Sequence, residues 1–140
     1  MEDTMNYKTA ISAAFLMLSA QTQLAAAETL RVNCLANSQW CSENKLYTFQ
    51  SESIDYTYSI KIKTATSHCS DVKFHILSGD GTIEYGTTPW LAAGQLGIVP
   101  IGNNLARGAQ VVQIRTLGRR GGCNTGRIGS WQAQVWPLAE

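Results

Sequence analysis

The residues best suited to recognition chemistry are concentrated in Gly118-Arg119-Arg120-Gly121-Gly122-Cys123-Asn124-Thr125-Gly126-Arg127. Guanidinium forks suit carboxylate, sulfate or phosphate oxygens, and the glycines leave main-chain N–H groups open to a ligand. Arg115 lies just upstream, and Trp131 lies downstream as a surface on which a sugar ring could stack. The candidate ligand-binding set is therefore Arg115, Arg119, Arg120, Asn124, Arg127 and Trp131. The competing reading is a solvated tip, in which case the site belongs on the open sheet face near Lys61, Lys73 and His75. Trp131 and Trp136 fall on opposite faces of a regular strand, so one belongs to the core and the other outside.

Catalysis finds little support. Only two histidines are present, His68 and His75, and no Gly-x-Ser-x-Gly elbow accompanies them. His68, Asp71 and His75 could together hold a metal, a reading that the place of His75 disfavours. His75 falls on the same strand face as Lys73 and reads as an exposed residue. Asp80 is better explained as a turn former than as a calcium ligand. Asp55, Asp71 and Glu84 are scattered. The residues assign no catalytic group, no cofactor and no metal.

The elements that must position these side chains are strands. Leu30, Val32 and Cys34 alternate with polar neighbours, and Tyr47 and Phe49 mark a second strand. Ile54, Tyr56, Tyr58, Ile60 and Ile62 keep strict period two, which predicts a half-buried strand over the whole run. Val72, Phe74 and Ile76 alternate next, then Ser78-Gly79-Asp80-Gly81 forms a hairpin turn with Asp-Gly at its centre. Ile83 and Tyr85 read as the return strand, broken at Gly86-Thr87-Thr88-Pro89. Trp90-Leu91 then caps the core, and Leu96 to Ile101 is a further apolar run. Gln110 to Leu117 and Ser130 to Val135 flank the arginine loop. Helical periodicity is missing throughout. Seven to nine short strands predict an all-β fold, an antiparallel β-sandwich or jelly roll.

Residues 1–27 read as a secretory signal peptide, with an apolar core at Ile11 to Leu18 and an Ala25-Ala26-Ala27 end. That core is shorter than the roughly 20 residues a membrane span needs. Glu2 and Asp3 disturb the usual positive start, which points to Met5 as initiator with Lys8 as its charge. The style is bacterial, and the expected destination is the periplasm or the exterior. Residues 28–140 then form a single domain, of a size that supports one core.

Removing Lys8, Glu2 and Asp3 leaves ten basic and eight acidic residues. So slight an excess does not suggest nucleic-acid binding. Cys34, Cys41, Cys69 and Cys123 all remain, and an even count in an exported chain predicts two disulfides. A four-thiolate zinc site lacks its closely spaced cysteine pairs. Of the three possible connectivities the favoured one is Cys34–Cys41 as a local staple, with Cys69–Cys123 pinning the arginine loop.

A resemblance to a known class rests on three stretches: Phe74 to Thr82, Trp90-Leu91, and Leu105 to Ile114. They are similar to the late half of galactose-binding-like jelly-roll modules of the carbohydrate-binding type. Gln110 stands where those modules usually carry a histidine. The resemblance covers about a third of the chain and implies sugar-module architecture more than sugar binding. The resulting expectation is an exported non-enzymatic protein that binds a carbohydrate or anionic glycan through its arginine-rich loop. The alternatives are a periplasmic inhibitor or immunity protein blocking a hydrolase or toxin, and a ligand-free envelope protein.

Overall fold

The computed structural model describes residues 27–35, 44–68, 70–103, 105–122 and 124–140. Eight strands follow one another: β1 Glu28–Leu35, β2 Lys45–Ser51, β3 Tyr58–Thr64, β4 Val72–Ser78, β5 Glu84–Thr87, β6 Leu96–Gly102, β7 Gly108–Gly118 and β8 Ile128–Ala139. They form two antiparallel four-stranded sheets with orders β1-β8-β3-β6 and β2-β7-β4-β5. Only β4 and β5 are joined as a hairpin within one sheet; the other connections cross between sheets. Two four-stranded sheets wound in this way are a jelly roll.

Alternation builds the core. β1 buries Leu30, Val32 and Cys34, and β3 buries Tyr58, Ile60, Ile62 and Thr64. The facing sheet contributes Tyr47, Phe49, Val72, Phe74, Ile76, Val112 and Ile114. Antiparallel sheets with one solvated face produce this pattern. Among the described residues no helix is long and apolar enough to cross a membrane.

Three sequence expectations are corrected. Ile54 and Tyr56 do not belong to β3; they are 52% and 41% exposed, in the turn before it. Asp55 N–H donates to Ser53 Oγ at 3.1 Å, and the Tyr58 hydroxyl accepts from Glu52 N–H at 2.9 Å. These bonds bend the chain before the strand starts, while the apolar period runs on through the bend. The hairpin turn is also centred one residue earlier, on Gly79-Asp80, because Gly81 N–H closes onto Ser78 C=O at 2.8 Å. Gly81 follows at φ +75°, a conformation that suits glycine. Asp80 Oδ1 accepts from Ser78 Oγ, Thr82 N–H and Thr82 Oγ1 at 2.6–3.0 Å. These bonds hold its carboxyl well below the usual range, at about 2. The strand break also comes later than read, since Gly86 and Thr87 lie within β5.

Cys34 is buried near the end of β1, and no free thiol occurs among the described residues. Cys41, Cys69 and Cys123 lie outside the described residues, as do residues 1–26 of the leader expected over 1–27.

Candidate functional site

The arginine loop joins β7 to β8 at one end of the sandwich. Trp131 is its foundation. This residue is 4% exposed, and its ring crosses to the end of the opposite sheet. A Cβ added at Gly118 would stand 2.0 Å from the Trp131 ring, and one at Gly129 would stand 2.5 Å from it. Both glycines make room for the indole, a role that their place beside a ligand loop disguises. Trp131 Nε1–H donates to Ser70 C=O at 3.2 Å, and His68 Nδ1–H donates to the same oxygen at 2.9 Å. Trp131 is thus a core residue and not a stacking surface, which corrects its place in the candidate set.

Asn124 is likewise structural. Its amide donates to Ser70 Oγ at 2.7 Å and to Ser130 C=O at 3.3 Å, and accepts from Ser130 N–H at 3.2 Å. Its main chain exchanges bonds with Gly121, which sits at φ +143°. The amide has taken up its hydrogen-bonding capacity in bracing the loop against the Ser70 segment. Arg119 N–H adds a bond to Asp71 C=O at 2.8 Å.

The arginines do not form one cluster. Arg119 lies 4.2 Å over the Trp90 ring and 3.7 Å from the Asp71 carboxylate. Lys73 Nζ lies 4.9 Å from the same ring, so two cations share one half-buried indole. Arg120 donates to Thr125 C=O at 3.4 Å, and Arg127 is exposed. Arg115 faces outward opposite His75. Its Nη2 lies 3.6 Å from the position of a Cβ on Gly81, so its guanidinium reaches toward the far hairpin. Arg115 therefore does not join the loop cations. Trp90 was legible in the sequence only as a core cap; its role between Lys73 and Arg119 is nonlocal and left no local signal.

The fallback face also divides. Lys73 and His75 project from β4, whereas Lys61 projects from β3 on the opposite side of the sandwich. His75 Nδ1 meets Glu84 Oε1 at 2.8 Å on the outer surface, while His68 is buried. The two histidines do not converge with Asp71, and no group of three potential metal ligands forms among the described residues. Of the two tryptophans on β8, the outward one is Trp136, with Lys61 Nζ 5.3 Å above its ring.

No family model matches the chain, and no sequence among curated proteins matches it. Solved structures with a similar course include the carbohydrate-binding module CBM36 in complex with calcium and xylotriose. That likeness has 15% identity and a TM-score of 0.37, and covers 81% of this chain and 88% of the module. Another is the VP2 subviral particle of infectious bursal disease virus, at 15% identity and a TM-score of 0.32, covering 82% of this chain and 33% of that one. The chain thus bears a weak resemblance to jelly-roll modules of the carbohydrate-binding type.

Proposed function

We propose that this chain is an exported, non-enzymatic protein that binds an anionic glycan at the loop end of its jelly roll. The observation that carries the reading is the corner formed by Arg119, Lys73 and Trp90. Two cations held against one indole lose little freedom when they engage an oxyanion, and Asp71 offsets only part of their charge. Arg120 and Arg127 extend the corner along a loop that Asn124 and Trp131 brace from beneath. Two disulfides, Cys34–Cys41 and Cys69–Cys123, would complete that bracing in an oxidising compartment.

The test is calorimetric titration with a sulfated hexasaccharide, comparing the parent with an Arg119→Ala, Arg120→Ala double variant. Folding should stay within about 0.5 kcal/mol, as for ordinary surface changes. Binding should weaken by roughly 1.5–3 kcal/mol for each well-made charge-assisted hydrogen bond that the substitutions remove. Parent-like affinity in the double variant would show the loop to be only a solvated tip.

A further inference from the structure

The outward face of β1-β8-β3-β6 carries a second arrangement, on different strands from the loop-end corner. Alternation sends Lys61 and Lys63 of β3, Gln132, Gln134 and Trp136 of β8, and Arg31 of β1 to this face. The register seats Lys61 directly opposite Trp136, Lys63 opposite Gln134, and Arg31 opposite Gln132. No Asp or Glu occupies an outward position on any of the four strands. The face therefore presents three cations with no carboxylate of its own among them.

The rows end in a cleft of about 260 Å³, lined by Lys63, Thr66, Ser67, Gln132 and Gln134 among others. That is smaller than pockets for drug-sized ligands, which run to roughly 300–1,000 Å³, and it suits one sugar ring. Its walls are fixed. Ala65 N–H donates to Gln132 C=O at 2.7 Å, Gly94 N–H to Ala65 C=O at 3.2 Å, and Thr64 Oγ1 to Ala92 C=O at 2.6 Å. Beside the cleft, the Trp136 ring holds the Lys61 ammonium in place at 5.3 Å.

We propose that this face binds a uronate-containing oligosaccharide lying along β3 and β8. The lysines and Arg31 match ring carboxylates, the two glutamines and the hydroxyls of Thr66 and Ser67 match sugar hydroxyls, and Trp136 offers apolar surface to a pyranose. An isolated inorganic anion would use only the cations, and an apolar peptide would leave them unmatched. Alternating polar and charged groups along an extended, fixed track fit a polymer with the same alternation.

The experiment is calorimetric titration of the purified protein with hexagalacturonate and with its methyl ester. Hexagalacturonate should bind, and the ester should bind at least about tenfold more weakly, because esterification removes the charge that strengthens each hydrogen bond. A Lys61→Gln, Lys63→Gln double variant should bind roughly tenfold or more weakly for the same reason. Gln134→Ala, at an exposed position that leaves the core alone, should weaken binding severalfold. Trp136→Phe should keep most of the affinity that Trp136→Ala loses, with thermal melting showing both variants folded. Placed on an Arg119→Ala, Arg120→Ala background, which removes any contribution of the loop end, the Lys61→Gln, Lys63→Gln substitutions should weaken hexagalacturonate binding by the same factor, which separates this face from the loop end. The proposal is overturned if the Lys61/Lys63 variant binds normally, if the ester binds as tightly as the acid, or if inorganic polyphosphate binds as tightly as hexagalacturonate.

Discussion

On the outer side of β2-β7-β4-β5 and its loop end, basic side chains are set against carboxylates: His75 meets Glu84 at 2.8 Å, and Arg119 meets Asp71 at 3.7 Å. On the outer side of β1-β8-β3-β6, Arg31, Lys61 and Lys63 alternate with glutamines and an indole, and no Asp or Glu occupies an outward position within the four strands. The carboxylates of the first surface come from elsewhere in the chain, Glu84 from the edge strand and Asp71 from the connector before β4. The first surface partly neutralises itself and fixes its geometry. The second leaves its charge for something else. A lysine and arginine count would favour the first surface, with Lys73, Arg115, Arg119, Arg120 and Arg127 against Arg31, Lys61 and Lys63; pairing across strands makes the difference.

The comparison can be broken hardest at Trp131, the buried β8 residue whose ring closes the loop end of the core. Trp131→Ala should destabilise the protein by about 3–5 kcal/mol, through the reduced burial and the cavity beneath Gly118 and Gly129. Chemical denaturation measures the loss. A cost below about 1 kcal/mol, well under the usual range for such a truncation, would mean that the indole does not close this end of the core.

A smaller effect is expected at Asn124. Asn124→Ala removes the amide bonds to Ser70 and Ser130 and should cost about 1–3 kcal/mol. Amide hydrogen exchange should quicken at Ser130 and in residues 119–122, and stay parent-like in β3 and β6. Faster exchange throughout both sheets would show that the loop end and the opposite face are not independent.

The smallest effect at neutral pH concerns the β1/β2 edge, which borders the second surface at Arg31. There Tyr47 borders a cleft of about 240 Å³ with Glu28, Arg31 and Lys45. Burial, with the nearby Glu28 carboxylate adding to it, pushes the Tyr47 phenol up from 10.0 to about 12. The folded state holds this proton more tightly than the unfolded chain. The associated stability is therefore fully present below pH 10 and is lost as pH rises through about 12. Tyr47→Phe should flatten that alkaline decline and leave stability below pH 10 nearly unchanged. An identical alkaline profile for both proteins would trace the decline to other groups.

How much of this was written in the chain divides along a physical line. Period-two alternation is local, and it made Leu30, Val32, Tyr47, Phe49, Ile60, Ile62, Phe74 and Ile76 legible as inward residues of an all-β sandwich. The same local signal misled at Ile54 and Tyr56, because a turn can keep the apolar period while side-chain hydrogen bonds end the strand. It also required that Trp131 and Trp136 face opposite ways without saying which was buried. That choice rests with Gly118 on the facing sheet and the Ser70 carbonyl, which come from distant parts of the chain. Arg115 and Arg119 are close in sequence, yet one reaches the Gly81 hairpin and the other rests on Trp90. Lys61 and Lys73 read as neighbours on one face and stand on opposite sides of the sandwich, because β3 and β4 belong to different sheets. Alternation determined which way each side chain points from its own strand; only the pairing of strands, set by packing between distant segments, decided what it points at.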